Sequence, residues 1–177
     1  MWVERGAERY RAARDIGRGR GRSERGVGHR LVLVGDGPMR AHIEACRHRL
    51  RLDGAVVLAG LQSDVRPFIA ACDIMALTSD SETFPIATLE SMALERALVA
   101  SDVGGMREQV EHGANGLLYA AGDVPALAAA LRRLADPLLR ARLGQGALAT
   151  VRSRFDLHAM LARYEALFAR LQRGARA

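Results

Sequence analysis

Five short aliphatic runs alternate with helical patterns along this chain: Leu31–Val34, Ala55–Ala59, Ile74–Thr78, Ala97–Ala100 and Gly116–Tyr119. No other feature restricts the fold as strongly. The helical stretches between them are Met39–Leu50, Val65–Ala71, Ile86–Leu94 and Met106–His112. Three more follow near Pro125–Ala135, Leu138–Arg152 and Leu157–Leu171. Strands separated by helices of this length pair in parallel through right-handed crossovers. The runs lack polar alternation, as strands buried on both faces do. The expected fold class is α/β: a Rossmann-like parallel sheet with helices on both faces, followed by C-terminal helices. Such sheets bind ligands beyond the carboxyl ends of their strands.

The punctuation agrees. Gly35-Asp36-Gly37-Pro38 closes one run and opens a helix, with Pro38 suited to the first helical position. Asp102-Val103-Gly104-Gly105 does the same after the fourth run, and Asp123 stands as an N-cap before Val124-Pro125.

Charge divides the chain differently. The net charge is +6, and all 26 basic residues are arginine, with no lysine. Residues 1–30 hold nine of those arginines against four acids, so residues 31–177 are nearly neutral. The first 30 residues, rich in Arg and Gly and poor in apolar side chains, are expected to form no packed element. Three readings of this tail stand: a mistranslated or mis-started segment of a GC-rich gene, a solvated linker, or an arm that binds nucleic-acid backbones. Residues 31–177 form the expected domain. No apolar run approaches the ~20 residues that span a bilayer, and the N-terminus has no apolar core of a secretory signal. Cys46 and Cys72 have no metal-ligand spacing and suit a reducing compartment, so the expected location is cytoplasmic, or peripheral at the inner face of the membrane. The five histidines form no H-x-x-x-H or carboxylate cluster, so no metal site and no cofactor are assigned.

The stretch Ser79–Glu90, "SDSETFPIATLE", carries the chemistry. It joins the third run to a helix starting at Ile86, which places Glu82 on the loop and Glu90 one turn in. Free N–H groups and the dipole at that helix start favour an anion, while the carboxylates can accept from sugar hydroxyls. The pairing suits a nucleotide sugar; alternatively, Glu82 and Glu90 are merely solvated acids. Gly35 and Gly37 admit either close approach to a phosphate or a plain turn. A G-x-G-x-x-G fingerprint and a P-loop are both absent.

The segment from Ala71 to Tyr119, "ACDIMALTSDSETFPIATLESMALERALVASDVGGMREQVEHGANGLLY", resembles the core signature of retaining glycosyltransferases of family 4, which have the two-domain GT-B architecture. "LVLVGDGP", "VVLAGLQSDVRPFIAACD" and "FDLHAMLARYEALFARL" resemble further blocks of that family, so the likeness runs from Leu31 to Leu171. It implies the nucleotide-sugar-binding half of such an enzyme, half of a GT-B fold, with its partner domain for the acceptor missing. The donor substrate would be a nucleoside diphosphate sugar, with an unknown acceptor. Carried over by motif, Glu82 is the candidate catalytic residue at the donor sugar and Glu90 bonds the ribose. The backbone of Phe84, Pro85 and Ile86 lines phosphate and sugar, and Leu61 and Gln62 meet the base. Three departures stand out. Glu95 replaces a helix-ending Gly, so a left-handed cap there costs ~1 kcal/mol or the helix ends differently. Pro85 stands where many members have Gly. The Arg/Lys pair that clamps the diphosphate is missing. The chain is therefore expected to bind donor without transferring it. A non-catalytic binding module is the alternative. The last helix, which crosses to the partner domain in GT-B enzymes, is expected to expose an apolar stripe that promotes self-association.

Overall fold

The computed structural model describes residues 30–174. The expectations for the N-terminal tail therefore lie outside the described residues, save Arg30. Five strands, β1 (Leu31–Val34), β2 (Val56–Gly60), β3 (Ile74–Leu77), β4 (Ala97–Ser101) and β5 (Leu117–Tyr119), alternate with helices. These helices are α1 (Arg40–Arg49), α2 (Arg66–Ala71), α3 (Ile86–Ala93) and α4 (Met106–Gln109). Then come α5 (Val124–Arg133), α6 (Pro137–Arg154) and α7 (Leu157–Gly174). Every strand pairing is parallel. Strand and helix positions follow the sequence pattern, with two local differences. Pro38 lies in a turn two residues ahead of α1, whose N-cap is Met39. And α4 is a single turn, because Val110 adopts extended backbone and is buried in the core.

The strands form two ladders rather than one continuous sheet: β1–β2, and β3–β4–β5. In the larger ladder β4 is central and wholly buried. Its side chains alternate between two cores. Ala97 and Val99 join Leu117, Leu127, Leu134 and Leu143 beneath α5 and α6. Leu98 and Ala100 join Met75, Leu77, Met106 and Val110 on the opposite face, against α4 and Ala87 of α3. This ladder meets the expectation of a sheet covered on both sides. The smaller ladder does not. Leu33, Val56, Cys46 and Leu52 pack under α1, but Val32 and Val57, paired across the strands, are 44% and 50% exposed on the other face.

Caps explain the entries of the last three helices. Asp123 accepts from the Ala126 N–H at 2.9 Å and Asp136 from that of Leu138 at 2.9 Å, each just ahead of a proline in the first turn. Asp156 accepts from the Ala159 N–H at 2.9 Å and opens α7. At the end of α3, Glu95 has φ +58°, with its N–H on the Met92 carbonyl and the Arg96 N–H on that of Ser91. This is the Schellman closure usually made by glycine. Leu157, Met160, Leu161, Tyr164, Phe168 and Leu171 lie exposed along α7. Among the described residues no helix is long and apolar enough to cross a membrane.

Candidate functional site

All strands being parallel within each ladder, the loops after β3 and β4 leave the same edge. They are pressed together there. Ser79, buried at the end of β3, gives its carbonyl to the Ser101 Oγ–H at 2.6 Å, and its own Oγ donates to Glu82 Oε1 at 2.6 Å. Three residues later the loop lies on a pair of glycines. A Cβ on Gly104 would sit 1.7 Å from the Glu82 carbonyl oxygen and 2.9 Å from its carbon. On Gly105 the corresponding distances to Thr83 are 2.1 and 3.3 Å. The oxygen is nearer than the carbon by about one C=O bond length in each case, so both carbonyls point straight at the glycines. Gln109 completes the series, its Nε2 donating to the Pro85 carbonyl at 3.3 Å.

Four carbonyls of the segment, those of Ser79, Glu82, Thr83 and Pro85, thus turn toward the β4–α4 connection. No peptide here is cis. In a trans peptide the N–H opposes the carbonyl. The N–H groups of Thr83, Phe84 and Ile86 therefore face away from the protein, and none donates to a group among the described residues. The α3 N-cap is Pro85, without a side-chain cap, so the first-turn N–H groups remain open as well. The Phe84 ring leaves this face: it meets Phe155 edge-on at 5.7 Å, at the α6–α7 junction, where Arg154 covers Phe155. One edge of Phe84 is thereby covered, although the residue remains exposed overall.

Glu82 and Glu90 are half-buried on either side of this strip. Glu90 lies within electrostatic reach of Arg66 at the start of α2. Arg66 is held above its usual pKa mainly by Asp64, which it clasps at 2.8 Å through two nitrogens, with a smaller contribution from Glu90. Asp64 is correspondingly held below the usual carboxylate range by the same clasp. The remaining candidates stand at the ends of β1 and β2. Gly35 donates its N–H to the Gly60 carbonyl at 2.8 Å. The Gly37 N–H is taken by Asp36 Oδ1 at 2.8 Å, so that turn closes on itself instead of offering this donor. Leu61 is 79% exposed, and Gln62 Nε2 is occupied by the Ala59 carbonyl at 2.6 Å. Ser79 to Pro85 thus forms one unit, pinned by the residues that follow β4. Sequence reasoning did not single out Ser79, Ser101 or Gln109. It read Gly104-Gly105 as punctuation only. A Gly-Gly pair a few residues past the apolar run Ala97–Ala100 was the available signal. A concavity of about 550 Å³, lined in part by Asp102, Arg107, His112 and Arg154, lies beyond this unit at the ends of β4 and β5. It contains neither Glu82 nor Glu90, and we place the candidate site on the loop strip instead.

Outward N–H groups at a strand–helix junction of a parallel α/β fold suit a polar, anionic ligand. The family described as "Glycosyl transferases group 1" matches residues 16–136, and the chain belongs to it. N-acetyl-alpha-D-glucosaminyl L-malate synthase of Bacillus anthracis is 32% identical over 143 residues, 80% of this chain and 38% of that protein. The lipopolysaccharide core biosynthesis glycosyltransferase LpsD of Rhizobium meliloti is 36% identical over 141 residues, 79% of this chain and 41% of that protein. The chain thus spans about two fifths of the curated relatives it matches. Among solved structures, Anabaena HepE in complex with UDP superposes with a TM-score of 0.76 and 29% identity, over 80% of this chain and 41% of HepE. The C-terminal domain of a group 1 family protein from Francisella tularensis shares the fold, with a TM-score of 0.74 at 22% identity. It matches over 85% of this chain and 79% of that domain.

Proposed function

We propose that residues 30–174 are the donor-binding domain of a retaining glycosyltransferase of family 4 and bind a nucleoside diphosphate sugar. One observation carries the reading: the carbonyls of Ser79, Glu82, Thr83 and Pro85 turn inward, so the N–H groups of Thr83, Phe84 and Ile86 face outward at the head of α3. Such a strip suits the diphosphate, whose leaving oxygen gains charge as the bond to the sugar carbon breaks. Glu90 is assigned to the ribose hydroxyls and Glu82, steadied by Ser79, to the donor sugar. Gly35, Leu61 and Gln62 are assigned to the phosphate and base side. Complexes of HepE with UDP and with UDP-glucose support a uridine nucleotide. The reading calls for no cofactor. It places the domain in the cytoplasm, a compartment that suits the free thiols of Cys46 and Cys72.

The acceptor is assigned to a second domain, since about three fifths of each relative has no counterpart here. Residues 1–177 alone are then expected to bind donor and not to transfer it. Calorimetric titration with UDP, GDP, ADP and UDP-glucose tests binding, and a panel of sugar acceptors tests transfer. Absence of binding to every nucleotide would remove the reading. Robust transfer by the monomer would remove the two-domain assignment.

A further inference from the structure

We infer that Gln109 is a positioning residue for the donor site, acting through the carbonyl of Pro85 on the outward N–H of Ile86; this rests on the donor-binding reading above. Gln109 ends α4 and is 1% exposed, beside the apolar side chains of Met106 and Val110. Its amide crosses to the donor loop and donates to the Pro85 carbonyl at 3.3 Å. That carbonyl and the Ile86 N–H belong to one planar peptide and point in opposite directions. Fixing one fixes the other.

The backbone of Gln109 is held from behind. Asn115 Nδ2 donates to the Gln109 backbone carbonyl at 3.1 Å and to Thr150 Oγ1, on α6, at 3.0 Å. Asn115 Oδ1 takes the Glu111 N–H at 2.8 Å. A line of polar contacts thus runs from α6 through Asn115 and Gln109 to the residue before α3. The other end of the Gln109 amide argues against a packing role. Its Oε1 is buried and has no hydrogen-bond partner. An orphaned buried acceptor is destabilising, so stability alone would favour leucine or methionine here. The one contact that a glutamine makes and those residues cannot is the bond to Pro85. Proline accentuates the need: it cannot donate, so Ile86 supplies the first N–H of the helix.

The test titrates the full chain and its Gln109→Leu, Gln109→Met and Gln109→Glu variants with UDP, GDP and ADP, alongside thermal melts. The Leu and Met variants should keep or raise the melting temperature. They should lose roughly five- to tenfold in nucleotide affinity, the worth of one neutral hydrogen bond, and the Ile86 amide should exchange faster. Gln109→Glu adds a signature that a filler would lack. Ionised, its carboxylate opposes the Pro85 carbonyl. Protonated, its O–H can donate to that oxygen, and burial favours the protonated form. Its deficit relative to wild type should therefore narrow as pH falls. Affinity within twofold of wild type in Gln109→Leu, or a Gln109→Glu deficit indifferent to pH, overturns the inference. Binding lost only in step with melting, in both Leu and Met variants, overturns it too by making Gln109 a core residue. A wild-type chain that binds no nucleotide fails at the earlier step, and removes the donor reading together with this one.

Discussion

The carbonyl oxygen of Glu95 lies 2.5 Å from where a Cβ on Gly144 would stand. This contact seats α6 on the end of α3. It brings together a helix closure that is strained by its side chain and a helix that can approach only because it lacks one.

Two substitutions at this contact should move stability in opposite directions. Glu95→Gly relieves the left-handed conformation at φ +58° and should stabilise by about 1 kcal/mol. Gly144→Ala forces α6 away and should cost roughly 1–3 kcal/mol, as overpacking does. Urea midpoints of the two variants measure both, and a loss on Glu95→Gly would mean its side chain contributes more than its backbone costs.

The acids should separate by ligand. Glu90→Ala should weaken UDP binding by ~1–3 kcal/mol, the range for bonds to a charged group. Glu82→Ala should spare UDP and weaken UDP-glucose. Equal losses for both ligands in both variants would undo the assignments.

Gly104→Ala should damage binding without touching the ligand. The Glu82 carbonyl would have to retreat by about 1 Å or more from its present position, and displacements of that size cost on the order of 100-fold where geometry is critical. Titration of a still-folded variant with UDP reads this directly. Unchanged affinity would mean the strip is not held by this contact.

Acid should expose the Asp102–Arg107 pair. Arg107 Nε donates to Asp102 at 2.6 Å, and the bonded guanidinium holds that carboxyl below the usual carboxylate range. A depressed folded-state pKa contributes stability above the unfolded value, ~3.9, which is lost as pH falls through the folded value. Arg107→Gln should therefore lower stability by a small constant amount at neutral pH, since the arginine is exposed. That difference should vanish in strong acid. A difference that grows toward low pH would reverse the sign of the argument.

The exposed stripe of α7 should make the isolated chain self-associate. Sedimentation at several concentrations should show a rising apparent mass, and Leu161→Glu with Phe168→Glu should suppress it. Tyr164 and Phe168 already stack at 6.1 Å, leaving their outer faces uncovered. A concentration-independent monomer would count against this.

Much of this was readable from the chain because its signals are local. Aliphatic runs and helical periods locate the strands and helices, Asp123 marks a cap, and the position of Glu95 poses the closure that the backbone then adopts. Strand order is not local. Nothing in Leu31–Val34 says that its ladder will stand apart from β3, or that Val32 and Val57 will share an uncovered face. The site divides along the same line. Glu82 and Glu90 stand out by residue type, whereas Gln109 is 24 residues from the carbonyl it holds and looks like an ordinary surface residue in sequence. The state of the Gly37 N–H is equally hidden from residue spacing, because the neighbouring Asp36 side chain takes it.

Inward carbonyls on the donor loop have an evolutionary corollary. A surface made of peptide N–H groups presents nearly the same chemistry whatever side chains its residues carry. Positions 83, 84 and 86 can drift widely, subject to their own packing, while the ligand meets the same donors. The constraint is displaced to the layer behind, onto Ser101, Gly104, Gly105 and Gln109. A survey of tolerated substitutions should therefore show its most permissive sites nearest the ligand and its strictest sites one layer away, the reverse of a pocket built from side chains.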